Sequence, residues 1–583
     1  MNFEFSFLRC GLKLCLQAGR MIGALTPGGL WLPVLLVTFS VHASTYYVAT
    51  NGNDSWDGTV ASYVSGTTGP WATFANVPGA ASPGTTFYIE GGTWSHTNDS
   101  TATMLNFYGA NGTQAAPIVV TNYPGQVPVI YGSGPNNYAL QIKQACWIKI
   151  FGLTISNAYR CTDISASTNC EVANCVFTGG NTNYGYLCPF TMDTSSQHNW
   201  IHNNLVYNAL AAPVGDSTHC FSIGQFYSTT DFTSYNIIES NVVYWAGHDA
   251  MSIYGPTNLV RCNWIHNEPW YYRQDYGQVC GHRCLEVGGA MGVGSVIENN
   301  RLSHAGITGN GGAHGIEADG PGSTIIRNNF MINDDYGGIC IYGGKVGSPI
   351  VPFWGSNYVY NNTIAYTGWA QECVTNYDAN GVVVSVTDNY NWKMPLGLAW
   401  TTNNIFVNNL FWDNFGGASG TTIVSQPAAP QGIGIWVNNF TNINPQFVNT
   451  NDGGAFSQTA PNCSLQAGSP AIDAGTWLTT ITSSSGSGTN FTVTDAGYFF
   501  AGMTAASHTV PGDTIQLQGQ TSTATITAIS GNTITINSSL TWTNGQGVAL
   551  PYSGSAPDVG AYEYTSHPAP PIGLQIINAV PQG

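Results

Sequence analysis

The chain has 583 residues, of which only 7% are Asp, Glu, Lys or Arg; 13 Lys and Arg face 30 Asp and Glu, for a net charge of −17. So acidic a chain lacks the basic surface that nucleic acid requires. Its 70 glycines, with abundant Asn, Ser and Thr, suit β-structure rich in turns, and its length admits one large core or two to three domains.

The N-terminal segment reads as a targeting signal. Arg9, Lys13 and Arg20 precede the apolar run "LWLPVLLVTFSV", and Val41-His42-Ala43 fits a small-residue cleavage site. Residues 1–43 are thus expected to be a signal peptide, with the mature chain exported and free of any membrane span. Cys10 and Cys15 leave with the signal, and the even number of cysteines left predicts some disulfides. Cys280-Gly281-His282-Arg283-Cys284 lacks the second Cys/His pair that a zinc site needs.

From about residue 170 a pattern recurs: apolar, two residues, Asn, one residue, apolar. It places Asn204, Asn241, Asn263, Asn300, Asn329, Asn362 and Asn409 in one column, with Cys175 in the same place. The flanking columns, Val172 to Phe406 and Phe177 to Phe411, are wholly apolar. Unequal intervals suit a solenoid whose coils tolerate insertions. Each Asn amide would satisfy backbone groups that a turn leaves unpaired. The expected fold is all-β: a right-handed parallel β-helix over 44–482, with its N-terminal cap at about 44–130. Ser483 to Gly488 is linker-like. The alternating strands that follow predict a small antiparallel module at 483–550, which binds glycan or caps the open end of the solenoid. Residues 551–583 close the fold.

"YYVATNGNDSWDGT", "SPAIDAG" (469–475) and "PDVGAYEY" (557–564) resemble the start and end of exported right-handed parallel β-helix proteins of the pectin-lyase-like superfamily. The resemblance covers most of residues 45–565. It implies the fold and a carbohydrate-related role, but this fold carries lyases, hydrolases, epimerases and adhesins alike.

Strands ahead of the Asn column read "AMSIYG" (250–255), "CLEVGG" (284–289), "GIEADG" (315–320) and "GICIYG" (338–343). Alternation turns Ser252, Glu286, Glu317 and Cys340 outward in one ladder, and Tyr254, Gly288, Asp319 and Tyr342 in a second. Adjacent coils lie about 4.8 Å apart, and residues i and i+2 roughly 6.6 Å. Glu317 and Asp319 thus approach an inverting pair of carboxyls, and Glu286 and Glu317 a retaining one. His248, Asp249, His282, Arg283 and His314 stand three or four residues before their ladder residues and should line the same edge. Trp270, Tyr272 and Tyr276, in the insertion "HNEPWYYRQDYGQVCGH", offer faces for sugar rings. Arg261, Glu298 and Arg327 fall on successive coils and read as a structural charge ladder.

The leading expectation is a secreted glycoside hydrolase acting on a polysaccharide or oligosaccharide. The Glu-x-Asp pair resembles the acid/base pair of some β-helix glycoside hydrolases, which implies Glu317 as acid and Asp319 as base, with Glu286 beside them. No cofactor is expected. One alternative is a calcium-dependent lyase on a uronate polysaccharide, with Glu286, Glu317 and Asp319 as the calcium cradle and Arg283 or Lys345 as base. Another is a non-catalytic glycan-binding or adhesion surface.

Overall fold

The computed structural model describes residues 43–564, apart from 96–102, 133–137, 159, 180–187, 210–218, 226–227, 268–282, 290–292, 307–313, 321, 335–336, 343–353, 368–373, 378–382, 388–394, 400, 415–423, 426–432 and 451–461. The expected signal peptide lies outside them except for Ala43. Among the described residues no helix is long and apolar enough to cross a membrane.

Three parallel sheets of thirteen, eleven and twelve strands run the length of the solenoid. Each coil gives one strand to each sheet, and the next coil pairs with it in register, so the expected parallel β-helix is what the chain forms. Side chains that point inward stack into one continuous core, from Val48 and Phe87 through Ile201, Ile238 and Val260 to Phe406 and Phe411.

The asparagine column forms as expected. Asn204 Nδ2 donates to Asn241 Oδ1 at 3.1 Å, Asn241 to Asn263 at 3.1 Å, Asn263 to Asn300 at 3.0 Å, Asn300 to Asn329 at 3.0 Å, and Asn329 to Asn362 at 3.1 Å. Each Oδ1 also accepts the backbone N–H of the preceding column residue, and each Nδ2 also reaches a carbonyl such as Val172 O or Ile297 O. The residue just before each Asn is left-handed, from Asn203 (φ 53°) and Ser240 (φ 56°) to Asn361 (φ 52°) and Asn408 (φ 54°). That conformation turns the chain from one sheet to the next, and Asn tolerates it better than most residues. A second ladder, through Asn199, Asn236, Asn258 and Ser295, does the same at another corner.

The outer face of the thirteen-stranded sheet carries two columns: Lys149, Glu171 and Trp200 pair in one, and His202, Glu239, Arg261, Glu298, Arg327 and Tyr360 in the next. Charges alternate along most of it, with Lys149–Glu171 at 2.7 Å, Arg261–Glu298 at 3.4 Å and Arg327–Glu298 at 2.6 Å. The antiparallel module docks on this face. Both oxygens of Asp513 accept bonds from Arg327, each at 2.6 Å, and His508 stacks on Trp200 at 3.9 Å. Ile237, Leu259, Val296 and Ile325 of the sheet share an apolar cluster with Phe499, Met503 and Val510 of the module. The module therefore covers a flank and not the open end. Its expected linker is partly strand, since Gly486–Thr492 pairs with Thr533–Trp542.

No disulfide joins any two of the ten described cysteines. Most are buried as small apolar core groups, with burial pushing the Cys161, Cys170 and Cys175 thiols up to about 12. The expected disulfides are not formed among the described residues.

Candidate active site

The eleven-stranded sheet carries the outward ladder. Ser252 pairs with Glu286, Glu286 with Glu317, and Glu317 with Cys340; Gly288 pairs with Asp319, and Asp319 with Tyr342. Inward partners Met251, Leu285, Ile316 and Ile339 fix this register by burying their side chains. Gly288 has φ 146°, and a Cβ there would lie 1.3 Å from the Asp319 carbonyl oxygen, so only glycine lets the two strands approach.

Three carboxyls converge. One oxygen each from Glu286, Glu317 and Asp319 lie within 4.8 Å of one another. That is tighter than the backbone spacing suggests, and closer than the roughly 6.5–9.5 Å of an inverting pair. Glu286 and Glu317 are buried, while Asp319 is half-buried.

Arg283 organises the cluster. Its Nε donates to Glu317 Oε2 at 2.5 Å and its Nη1 to Asp249 Oδ1 at 3.3 Å, and Nη1 lies 3.9 Å from Glu286 Oε2. His314 Nδ1 is 3.1 Å from Glu317 Oε2, and the Tyr254 hydroxyl donates to Glu286 Oε2 at 2.6 Å. His248 Nδ1 meets Asp249 Oδ2 at 2.7 Å. Asp249, His248, Arg283 and His314 thus gather at the edge expected of them. His282, Trp270, Tyr272, Tyr276 and Lys345 lie outside the described residues.

The proton affinities run opposite to the expected roles. Burial raises the Glu317 carboxyl, but Arg283 and then His314 outweigh it and draw it down to about 2. Burial, then the charge of Glu317, holds Asp319 well above the ordinary carboxylate range, and Arg283 offsets only part of this. Burial and then Asp249 likewise raise Glu286 well above it. Of the three, Glu317 is thus the readiest to ionise, and Asp319 and Glu286 the readiest to hold a proton. These directions favour Asp319 over Glu317 as the carboxyl that carries the proton, because a guanidinium and an imidazole sit on Glu317 and not on Asp319.

Calcium is the ion that the lyase alternative would need. Oxygens bound to one calcium at about 2.3–2.6 Å lie no more than about 5.2 Å apart, and the three carboxyls meet that limit. Asp319 Oδ1 is buried and makes no hydrogen bond among the described residues, as a ligand oxygen awaiting a cation would be. The set fits a calcium ion, whose charge would offset the crowding of three carboxyls.

Two residues were missed from sequence. Tyr254 donates to Glu286, and His219 Nδ1 meets the Ser252 hydroxyl at 2.7 Å and Asp249 Oδ2 at 3.3 Å. His219 had a readable signal: it stands three residues before Ser222, as Asp249 does before Ser252, Arg283 before Glu286 and His314 before Glu317.

No known protein family and no curated protein matches this chain by sequence. Among solved structures, the pectate lyase Pel9A is similar at 16% identity, over 90% of this chain and 96% of that chain, with a TM-score of 0.48. A rhamnogalacturonan lyase is 15% identical over 73% of this chain and 95% of that one, with a TM-score of 0.42. A GH136 lacto-N-biosidase from Eubacterium ramulus is 11% identical over 69% and 68%, with a TM-score of 0.39. The resemblance to pectin-lyase-like β-helix proteins holds at the level of fold. At these scores none of the three carries an activity or a site over to this chain.

Proposed function

We propose that this chain is an exported carbohydrate-active enzyme that cleaves glycosidic bonds of a polysaccharide or oligosaccharide. Asp319 gives the proton to the leaving oxygen, and ionised Glu317 is its partner. The observation that carries this reading is that Arg283 and His314 bond Glu317 and not Asp319, which draws Glu317 down to about 2 while burial and the Glu317 charge hold Asp319 well above its ordinary range. Paired carboxyls held in opposite protonation states are what acid-assisted glycoside cleavage needs. Their closeness favours the retaining arrangement, with carboxyls about 5–5.5 Å apart and Glu317 as nucleophile. Arg283 and His314 hold Glu317 charged and oriented, and the half-burial of Asp319 leaves it within reach of a sugar.

A calcium-dependent lyase is the second reading, favoured by the three convergent carboxyl oxygens. Its base is the weak point. Burial works against the charge of Arg283, but Glu317, Glu286 and Asp249 overcome it and hold the guanidinium well above its ordinary range, so it stays a cation. Incubation of the chain with neutral and uronate polysaccharides, with and without chelator, separates the readings. New reducing ends without ultraviolet absorbance, unaffected by chelator, are expected. Absorbing unsaturated products that vanish with chelator would put the lyase in its place, and binding without turnover would make the chain a glycan-binding surface.

A further inference from the structure

Toward the N-terminal end of the solenoid from the carboxyl cluster, four polar atoms crowd around one point. His248 Nδ1 and Asp249 Oδ2 are 2.7 Å apart, and His219 Nδ1 and Ser252 Oγ 2.7 Å. His219 Nδ1 is 3.3 Å from Asp249 Oδ2, and Ser252 Oγ is 3.4 Å from that same oxygen. Donors at about 2.0–2.2 Å around a tetrahedral zinc stand about 3.3–3.5 Å from one another, so the 3.3 and 3.4 Å separations match that edge, while the two 2.7 Å pairs are hydrogen bonds that open by about 0.6–0.8 Å to admit the ion. The two imidazoles meet at 74° with centroids 5.2 Å apart, which lets both Nδ1 atoms face one centre.

The surroundings suit an ion. The Asp249 side chain is wholly buried and lies against the Arg283 guanidinium. Arg283 takes Oδ1 and leaves Oδ2 to the cluster, the kind of outer contact that orients a ligating carboxylate. Asn267 Nδ2 ties down the carbonyls of His248 and Arg283 at 2.7 and 3.0 Å. The imidazoles are 20% and 21% exposed, so an ion can enter from their side. Two imidazoles with one carboxylate select borderline transition metals over calcium or magnesium.

We propose that His219, His248 and Asp249 form a site for a divalent transition metal, zinc above all, with the Ser252 hydroxyl at the fourth corner. Each imidazole binds through a deprotonated Nδ1 and keeps its proton on Nε2; any proton displaced passes to solvent. The site shares no ligand with the three-carboxyl cluster and does not depend on the reaction proposed for it. Through Arg283, which bonds both Asp249 and Glu317, the ion would stiffen the support of that cluster.

The test is a titration of zinc chloride into the metal-stripped full chain by calorimetry, with the metal content counted after gel filtration. One zinc per chain is expected in the parent and in Glu317→Gln, with affinity falling by more than about tenfold in His219→Phe and His248→Phe. Phenylalanine keeps a ring in place without a donor, and a thermal melt shows whether each variant is folded. Should either variant fail to fold, His219→Gln and His248→Gln replace it. Absence of zinc from the parent would overturn the site. So would zinc that survives both histidine changes, or zinc lost in Glu317→Gln but kept in His219→Phe. An inactive Glu317→Gln that still binds one zinc leaves the site standing whatever the reaction proves to be.

Discussion

Glu317 and Asp319 are two residues apart on one strand, yet their proton affinities diverge because only one of them touches Arg283. Glu317→Gln removes the ionised partner and Asp319→Asn the proton donor, each with little change in shape. Turnover should fall by about 10²–10⁴-fold in both while substrate binding persists, as measured by initial rates and equilibrium binding. Arg283→Gln carries a second expectation. Arg283 lowers both Glu317 and Asp319, so without it both groups titrate at higher pH. The acid limb of the kcat/KM profile, set by ionisation of Glu317, and the alkaline limb, set by loss of the Asp319 proton, should then both move upward. A profile that loses height without moving would mean that Arg283 only props the fold. Much of this site was legible in the sequence, because alternation on a strand fixes which residues face outward, and that placed Glu286, Glu317, Asp319, Arg283 and His314 together. Which carboxyl keeps its proton was not legible: it depends on where one guanidinium points. His219 escaped notice because a lone histidine in "STHCFSIG" carries no charge partner until coiling brings Asp249 and Ser252 beside it.

At the scale of the coil, the asparagine column shows why the repeat could be read. Every coil leaves the same backbone groups unpaired at the same corner, so the same amide is needed each time. Asn329 accepts from Asn300 N and Nδ2 and donates to Ile297 O and Asn362 Oδ1, and it is fully buried. Asn329→Leu keeps the volume and strands these groups, at a cost of about 1–3 kcal/mol for each one left unsatisfied. A melting temperature unchanged by that substitution would mean that the column does not hold the coils. The second ladder was less legible because a serine hydroxyl serves as well as an amide: Ser295 accepts from Asn258 N, and the letter changes while the bond stays. The outer charge ladder was readable as structure, but its partner was not, since Asp513 lies far along the chain. Arg327 is buried and bonds Glu298, Tyr360 and Asp513. Arg327→Gln leaves two acids facing each other where the module docks. It should lower the melting temperature clearly while leaving the turnover rate per folded molecule near the parent's, because Arg327 sits on a different sheet from Glu317.

On the scale of the whole molecule, the two C-terminal motifs close the fold by pairing with each other across the module inserted between them. Gly475 N donates to Pro557 O at 2.6 Å, Val559 N to Ala471 O at 2.9 Å, and Asp473 N to Asp558 Oδ1 at 2.8 Å. Gly560 N then reaches Asn408 O, and Ala561 N reaches Thr363 Oγ1, both at 2.9 Å, which ties this closure to the solenoid. Glu563 sits inside it, accepting from Asp558 N at 2.9 Å and Ser553 N at 3.4 Å. Burial, and then the charge of Asp558, pushes its carboxyl up from 4.5 to about 8. The native state thus keeps a proton that the unfolded chain has lost between those two values, and stability falls as pH rises through that window. The contribution is fully present below the unfolded value and gone above the folded one. Glu317 acts in the opposite sense: drawn down to about 2, it adds stability above the ordinary carboxylate range that is lost only in strong acid. Glu563→Gln keeps the shape and carries no charge at any pH. The parent's melting temperature should therefore drop between pH 4.5 and about 8 relative to that of Glu563→Gln, and the two curves should meet below the acid end of that range. Parallel curves across it would show that Glu563 is as readily ionised in the folded chain as in water, and that the closure is not a place where the solenoid feels pH.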